Sequence, residues 1–297
     1  MDRCISRITF TQLTLAVVLC TQGVSLQAQC CDPCELPTLF SWAGCPVTPR
    51  GNPYDEPLTT DRPDFTESAT TVGRGVVQLE MGYLYGEDHE NGGDRVRNNA
   101  YPNSLLRVGL CRDWLEFRLG WAMLDQRTSG RGERSSNVGA QDMLLGVKLA
   151  LTEQCGWRPE TAAILQMTVP TGDSAYTADR VLIGGVWIYS TDINDYWSIG
   201  GQTQLNQAID ELDHVYTEFG QSAVTGITLT EKLSIFGEWF ALIPHSALAS
   251  SADPVHYLDG GFTYLLSNNL QYDIWSGIGL NDEAADYFIG SGLSVRF

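Results

Sequence analysis

Apolar and polar residues alternate singly along most of the chain after Gly75. The stretch from Asp286 to Phe297 shows this pattern clearly, because apolar side chains keep one parity there while glycine, serine and arginine keep the other. A period of two is typical of a β-strand with one apolar face and one wet face. The same pattern would scatter apolar residues around a helix, so the chain is expected to be an all-β protein.

Twelve stretches carry this alternation, and they predict a single antiparallel up-and-down transmembrane β-barrel of about 12 strands. Short connections such as Arg112-Asp113 alternate with longer polar ones, among them Gly86–Ala100 and Asp125–Gly139, which we expect to be loops. Outer-membrane barrels show this alternation, with short turns in the periplasm and longer loops outside. The predicted strands are Val77–Tyr85, Leu106–Leu110, Leu115–Trp121, Met143–Leu151, Ala163–Val169, Val181–Ser190, Tyr196–Leu205, Val215–Leu229, Leu233–Ile243, Val255–Leu266, Leu270–Leu280 and Asp286–Phe297.

Composition favours a membrane barrel over both a helical membrane protein and a soluble β-sandwich. Only 43% of residues are hydrophobic and the mean hydropathy is −0.12, too low for a bundle of apolar helices. The wet parity carries charges in strand after strand, which a soluble core would not hold. Aromatic residues lie toward the predicted strand ends, where rings meet the lipid–water interfaces. These are Tyr83, Trp121, Trp187, Tyr189, Trp197, Trp239, Tyr264, Tyr272 and Phe297.

The two ends of the chain agree with export to the bacterial outer membrane. Residues 1–28 resemble a secretory signal peptide that is cleaved, with Arg3 and Arg7 before an apolar run. Residues 29–73 are rich in Cys and Pro and are expected to form an extended periplasmic tether, followed by the barrel at 74–297. The last strand resembles the closing strand of outer-membrane barrels. Leu293, Val295 and Phe297 are therefore predicted to act as the assembly signal for the barrel-assembly machinery and to contact outer-membrane lipid.

The cysteines suggest disulfides rather than a metal site. Cys30, Cys31, Cys34 and Cys45 crowd the tether, and the sequence does not fix their connectivity. Cys31-x-x-Cys34 is compatible with zinc or redox chemistry, but no second ligand pair of metal spacing follows it. Two further cysteines, Cys111 and Cys155, fall at the turn end of the predicted barrel, so a disulfide between them is a second hypothesis.

A short charged motif precedes the first strand. Thr60 to Ser68 reads Thr-Asp-Arg-Pro-Asp-Phe-Thr-Glu-Ser, just before Val-Gln-Leu-Glu-Met-Gly-Tyr. This pattern resembles the opening of the MetA-pathway phenol-degradation family of outer-membrane barrels, and the resemblance extends through the barrel to Phe297. It implies a transporter-like barrel. Two interpretations of the motif stay open: Asp61, Arg62, Asp64 and Glu67 pair with charges in the lumen as a short plug, or the motif is a solvated lead-in held by Pro63.

The predicted function is a channel or transporter for small solutes, and the family resemblance implies aromatic or hydrophobic ones. The charges on the wet parity would line the lumen, and their acidic excess favours cations or neutral solutes over anions. These residues are Glu80, Arg107, Glu116, Arg118, Asp142, Lys148, Glu218, Glu238, Asp259, Asp273 and Arg296.

Other functions are less well supported by the residues. A closed structural barrel is one alternative, and an outer-membrane lipid hydrolase using His245 and Ser246 is another. We expect no catalytic residue, no metal and no cofactor. The net charge of −18 argues against nucleic acid as a partner. The sequence does not indicate an oligomeric state.

Overall fold

The computed structural model describes residues 37–45, 50–89, 94–130, 133–249 and 253–297. Its regular elements are β-strands, as predicted. No helix in this part of the chain is long and apolar enough to cross a bilayer. The strands are β1 (Val77–His89), β2 (Arg95–Gly109), β3 (Leu115–Gly130), β4 (Glu133–Ala140), β5 (Met143–Thr152), β6 (Glu160–Val169), β7 (Leu182–Asn194), β8 (Trp197–Ile209), β9 (Val215–Thr228), β10 (Leu233–His245), β11 (Val255–Ser267), β12 (Leu270–Gly279) and β13 (Tyr287–Arg296).

The sheet closes into a twelve-stranded antiparallel barrel with one additional strand, which confirms the predicted fold class. Apart from β4 and β5, which do not pair with each other, each strand pairs with its sequence neighbours, and β13 closes the barrel on β1, with Leu293 opposite Met81. The additional strand is β4, which pairs with the far half of β3, while β5 pairs with the near half. β4 and β5 therefore share one position in the wall.

Two stretches predicted to be loops are strands instead. β1 and β2 continue through most of Gly86–Ala100, and β3 and β4 form a hairpin within Asp125–Gly139. The prediction failed because these strand ends extend beyond the apolar belt, where both faces of the sheet are wet. The period-two pattern disappears there although the backbone hydrogen bonds continue.

The outer face of the barrel is apolar. Side chains such as Met81, Leu165, Phe262, Ile274 and Leu293 are exposed on the surface although they are large and hydrophobic. Of the predicted interfacial aromatics, Tyr83, Trp187, Trp197, Tyr264, Tyr272 and Phe297 are exposed as well. Such a belt is costly in water and favourable in lipid.

The connections divide the barrel into two ends, which we call the turn end and the loop end. Short turns such as Asn268-Asn269 lie at the turn end, together with the start of β1 and the end of β13. Longer connections lie at the loop end, where Asp210 ties two of them together. Its carboxylate accepts hydrogen bonds from the backbone N–H groups of Leu212 and His214 in one connection and of Leu248 and Ala249 in the other, over 2.8–3.0 Å. Burial opposes the charged form of Asp210, but these four donors outweigh it and hold its pKa at about 2.

The disulfide differs from the hypothesis drawn from the sequence. Cys155 pairs with Cys45, not with Cys111, and the two Cα atoms are 6.3 Å apart. The sequence pattern placed Cys155 correctly in the β5–β6 turn but gave no sign that the tether runs along it. The backbone N–H groups of Leu39 and Phe40 donate to Ala150 and Leu151 at the end of β5, which brings Cys45 to that turn. The predicted signal peptide and Cys30, Cys31 and Cys34 lie outside the described residues.

Candidate functional site

Most of the predicted lumen charges are buried inside the barrel. The side chains of Glu80, Arg107, Glu116, Lys148 and Asp273 have essentially no exposed surface. Arg118, Glu238, Asp259 and Arg296 are also buried. A barrel of this size would leave these groups in water if its bore were empty, so something covers them.

The covering element is the chain before β1. We call residues 58–72 the plug segment, because it lies within the bore on the turn side and binds strands around the wall. The Thr59 carbonyl accepts from Gln78 of β1 and Arg107 of β2 at 2.9 and 3.1 Å. The Glu67 N–H donates to Gln202 of β8 at 3.0 Å, and the Val72 N–H donates to Glu116 of β3 at 2.8 Å. Most of the motif predicted to lie in a periplasmic tether is thus inside the barrel.

Asp61 is the electrostatic centre of the plug segment. Lys148 donates to its carboxylate at 2.7 and 2.9 Å, and Arg107 and Arg118 each approach it at 3.3 Å. Its backbone N–H donates to the Glu80 carboxylate at 3.1 Å. One carboxylate therefore neutralises part of the charge of three buried cations, which would otherwise repel one another.

Other residues of the motif bind opposite sides of the wall. Arg62 forms an ion pair with Asp273 at 3.1 Å, and it fits there because a side chain at Gly82 or Gly292 would collide with its guanidinium. Glu67 pairs with Arg118. Three of the four motif charges thus pair with lumen charges, as the plug interpretation predicted. Asp64 has no ion pair among the described residues.

Glu238 of β10 binds the backbone of the plug segment rather than a cation. Its carboxylate accepts from the N–H groups of Phe65 and Thr66 at 2.6 and 2.8 Å, and from the Thr66 hydroxyl. The Thr66 hydroxyl also meets the hydroxyl of Ser222 on β9. Glu238 therefore fixes the position of Phe65.

An apolar contact completes the packing of the plug segment. Ala69 packs with Ala162 and Ile164 of β6 and with Val186 and Ile188 of β7, all inside the barrel and all at most 4% exposed. This inward patch interrupts the polar lining of the wall, and the plug segment shields it from water. The turn half of the lumen is consequently packed like a small protein core.

The loop half of the lumen contains a cavity of about 510 Å³ above the plug segment. Asp61 to Phe65 form its floor, and Gly86 and Asn98, toward the loop ends of β1 and β2, line its upper part. Aromatic rings form much of its wall. They come from Phe65 of the plug segment, Phe240 of β10, Tyr257 of β11, Trp275 of β12 and Phe288 of β13.

The rings contact one another in sequence around the cavity. Phe65 stacks on Phe240 with centroids 4.5 Å apart, and Phe240 stacks on Tyr257 at 4.9 Å. Phe288 meets Tyr257 edge to face at 5.7 Å and Trp275 at 5.1 Å. Offset stacks and edge-to-face pairs are favourable arrangements, so the rings form a preorganised apolar wall.

Polar groups without a partner accompany the rings. Both carboxylate oxygens of Asp259 and the indole N–H of Trp275 are buried and have no hydrogen-bond partner among the described residues. Asp259 lines the cavity next to Glu238, its register partner on β10. A buried polar group without a partner is costly, so these atoms are candidates for contact with a bound ligand or water.

Two predicted lumen residues have other surroundings. Asp142 lies between β4 and β5 at the loop end, where it accepts from the backbone N–H groups of Thr171, Gly172 and Ala178 at 2.8–3.1 Å. It stabilises the β6–β7 connection and does not line the bore. Glu218 has the inward parity but is only half-buried near the loop end of β9.

The aromatic wall was missed because the rings share strands with lipid-facing residues. Trp239 and Phe240 are adjacent, as are Ile274 and Trp275, so both parities of these strands are apolar. The signal that identifies the inward rings is an aromatic residue on the same parity as a charge. Phe240 follows Glu238 by two positions, Tyr257 precedes Asp259 by two, and Trp275 follows Asp273 by two.

Comparison with known proteins agrees with this architecture. The crystal structure of an outer membrane channel from Pseudomonas putida F1 is similar with a TM-score of 0.61 at 13% identity, covering 77% of this chain and 98% of that one. The translocator domain of the autotransporter NalP from Neisseria meningitidis gives a TM-score of 0.51 at 11% identity, covering 76% and 89%. At these identities the similarity concerns the fold. No curated protein sequence matches the chain.

One family model covers most of the chain. The family described as "Putative MetA-pathway of phenol degradation" matches residues 60–297, from the charged motif to the last strand. The match includes the plug segment almost entirely as well as the barrel, so both parts of the site described above fall within it. The chain therefore belongs to the family of the MetA pathway of phenol degradation, and the resemblance seen in its sequence is confirmed.

Proposed function

We propose that this protein is an outer-membrane channel that admits small apolar or aromatic solutes from the loop side into the cavity above the plug segment. The observation that carries the proposal is the 510 Å³ cavity with its wall of five aromatic rings. Ligand sites are typically concave and apolar with a few polar groups. This cavity is large enough to hold a single-ring aromatic compound. Family membership and the fold shared with an outer membrane channel support the same function.

The plug segment gives the channel a closed resting state. It fills the turn half of the bore with buried ion pairs and the Ala69 contact, so a solute in the cavity faces a floor rather than a path. Passage to the periplasm then requires displacement of the plug segment. The alternative of a closed structural barrel accounts for the plug segment but leaves the aromatic wall without a role.

For export and assembly we keep the predictions made from the sequence as proposals. We propose that residues 1–28 are removed as a signal peptide and that the turn end faces the periplasm. Leu293 and Phe297 are exposed on the barrel surface, where lipid and the barrel-assembly machinery would contact them. His245 and Ser246 lie at the loop end of β10, and we propose no catalytic role for them.

Uptake of radiolabelled toluene by cells of an outer-membrane bacterium tests the proposal. Cells that produce the protein should take up toluene faster than cells without it. Phe240→Ala combined with Phe288→Ala should reduce this increase in uptake about tenfold or more. Toluene loses its contacts with two rings, and each contact contributes about 0.5–1.5 kcal/mol. Tyr196→Ala, which removes an exposed ring from the β7–β8 turn, is the matched control. Equal uptake by the double variant and the unaltered protein would contradict the proposal.

A further inference from the structure

The charges around the plug segment are balanced on one side only. Asp61 faces three cations, whereas Asp64, three positions later, and Asp259 of β11 have no ion pair among the described residues. Both line the aromatic cavity, and Glu238, opposite Asp259 on β10, accepts from the backbone of the plug segment rather than from a cation. Two carboxyl groups thus line the cavity, and a third lies beside Asp259, without a counter-ion among the described residues.

The one cation among the described residues that line the cavity is already engaged. Arg62 directs its guanidinium to both oxygens of Asp273, at 3.1 and 3.3 Å, and lies close to Gly82 and Gly292. Turning toward Asp64 or Asp259 would break this pair and leave Asp273 unpaired, with its side chain fully buried. The cavity therefore lacks an internal partner for its carboxylates.

A buried carboxylate without a partner points to a missing donor. When ionised it only accepts hydrogen bonds, and Asp259 receives none although only 6% of the residue is exposed. A metal ion does not fit, because the described residues contain no group of three or more His, Cys, Asp or Glu side chains that could hold one. An organic cation fits better, since the neighbouring groups are rings rather than further oxygens.

The rings favour a cation as well as an apolar body. The faces of Trp, Tyr and Phe attract an ammonium group electrostatically, and Trp275, Tyr257 and Phe288 all adjoin the end of the cavity where Asp259 lies. Phe288 and Asp259 both lie against Gly277. A side chain at Gly277 would collide with the ring and with the Asp259 Cβ. Aromatic rings and a carboxylate that lie close together are the groups that bind an organic cation.

We propose that the cavity selects small aromatic ammonium ions, with the ring of the ligand against Phe65 and Phe240 and its ammonium group at Asp259 and Asp64. This inference rests on the proposed function, because it names the class of solute that the same cavity prefers. It goes beyond that function in one respect: a neutral aromatic compound enters the same cavity but leaves the carboxylates without a counter-ion.

Calorimetric titration of the full-length protein in detergent micelles with benzylammonium and with benzyl alcohol tests this preference. The two probes have nearly the same shape, and they differ in charge. Benzylammonium should bind about tenfold tighter or more, since a charge-assisted hydrogen bond and a cation–π contact are gained. Asp259→Asn and Asp64→Asn should each remove most of that preference, because the affinity for benzylammonium should fall much more than the affinity for benzyl alcohol. Asp195→Asn, which removes a carboxylate from the exposed β7–β8 turn, should change neither affinity.

The outcomes separate this inference from the proposed function. If benzyl alcohol binds the unaltered protein as tightly as benzylammonium, or if both aspartate variants keep the preference, the ammonium proposal is overturned and the aromatic channel stands. If neither probe binds, the cavity is not a ligand site and both fail. Asp64 belongs to the plug segment rather than to a strand, so Asp64→Asn tests the inference even if Asp259→Asn does not assemble. Migration of unboiled samples on gels reports assembly.

Discussion

The two halves of the lumen solve the problem of buried charge in opposite ways. In the turn half, Arg107, Arg118 and Lys148 converge on Asp61, and the bore is filled. In the loop half, Asp64 and Asp259 have no such partners, and the bore is open over about 510 Å³. The comparison shows that charges with partners serve the structure of the barrel, whereas charges without partners serve its function. Balanced charges hold the plug segment in place, and unbalanced ones face the space that a solute would occupy.

The largest expected effect comes from breaking the balanced half. Asp61→Ala leaves three buried cations without their common partner, and removing one member of a buried ion pair typically costs about 3–5 kcal/mol. We expect the plug segment to leave the bore. A cysteine introduced as Ala69→Cys reports this, because residue 69 is 4% exposed and should react with a maleimide only when the segment is released.

Asp64→Asn is the matched control for that experiment. It changes an aspartate of the same segment that has no cation partner, so Ala69→Cys should remain protected in its presence. Equal labelling in the two variants would show that the three cations do not hold the segment.

The turn half of the lumen should also be packed more tightly than the loop half. Ile188→Ala removes a fully buried side chain from the Ala69 contact and should lower the free energy of unfolding by about 2–5 kcal/mol. Phe240→Ala should cost less although its ring is larger, because that ring borders open space and its loss creates little new cavity. Urea unfolding of the lipid-reconstituted protein measures both. A greater cost for Phe240→Ala would mean that the loop half is the better-packed one.

Removal of the disulfide should weaken the attachment of the chain before the plug segment without opening the bore. Cys45 and Cys155 are 110 residues apart in sequence, and a disulfide across such a separation typically contributes about 2–4 kcal/mol. Cys155→Ser is expected to lower stability by that amount while Ala69→Cys stays protected. Labelling of residue 69 in the Cys155→Ser variant would show that the disulfide, rather than Asp61, retains the plug segment.

The smallest effect is a local one at the loop end. The pKa of Asp210 is held at about 2, below the usual value of roughly 3.9 for an aspartate, by its backbone donors. The lowered pKa of Asp210 stabilises the folded loops at pH values above the ordinary pKa of an aspartate. This contribution to stability disappears as the pH falls through about 2. Hydrogen exchange at Leu212, His214, Leu248 and Ala249 should therefore remain slow from neutral pH down to about 4. Asp210→Ala should accelerate exchange at these amides alone, and Asp142→Ala, at a different loop, should not.

Much of the barrel was predictable from its sequence, because lipid on one face and charge on the other impose a period of two. That pattern located the twelve wall strands and placed Arg107, Glu116 and Lys148 in the lumen. It failed at the strand ends beyond the apolar belt, and so it missed β4. It also mistook Asp142 for a lumen residue, since parity does not show how far along the barrel a side chain lies.

The contacts between distant segments were not predictable. Nothing in residues 58–72 alternates, so their position inside the bore follows only from partners far along the chain, such as Lys148, Glu238 and Asp273. The pairing of Cys45 with Cys155 has the same origin. The aromatic wall was visible in principle, because an aromatic residue on a charged parity is unusual, but its neighbours on the lipid-facing parity concealed it.

Single-channel conductance in planar bilayers tests the central claim, that the plug segment closes a bore whose loop half is open. The unaltered protein should show no conductance steps, and Asp61→Ala should show them in the same preparation in which residue 69 becomes labelled. Steady conductance of the unaltered protein, or a released plug segment without any conductance, would contradict the account.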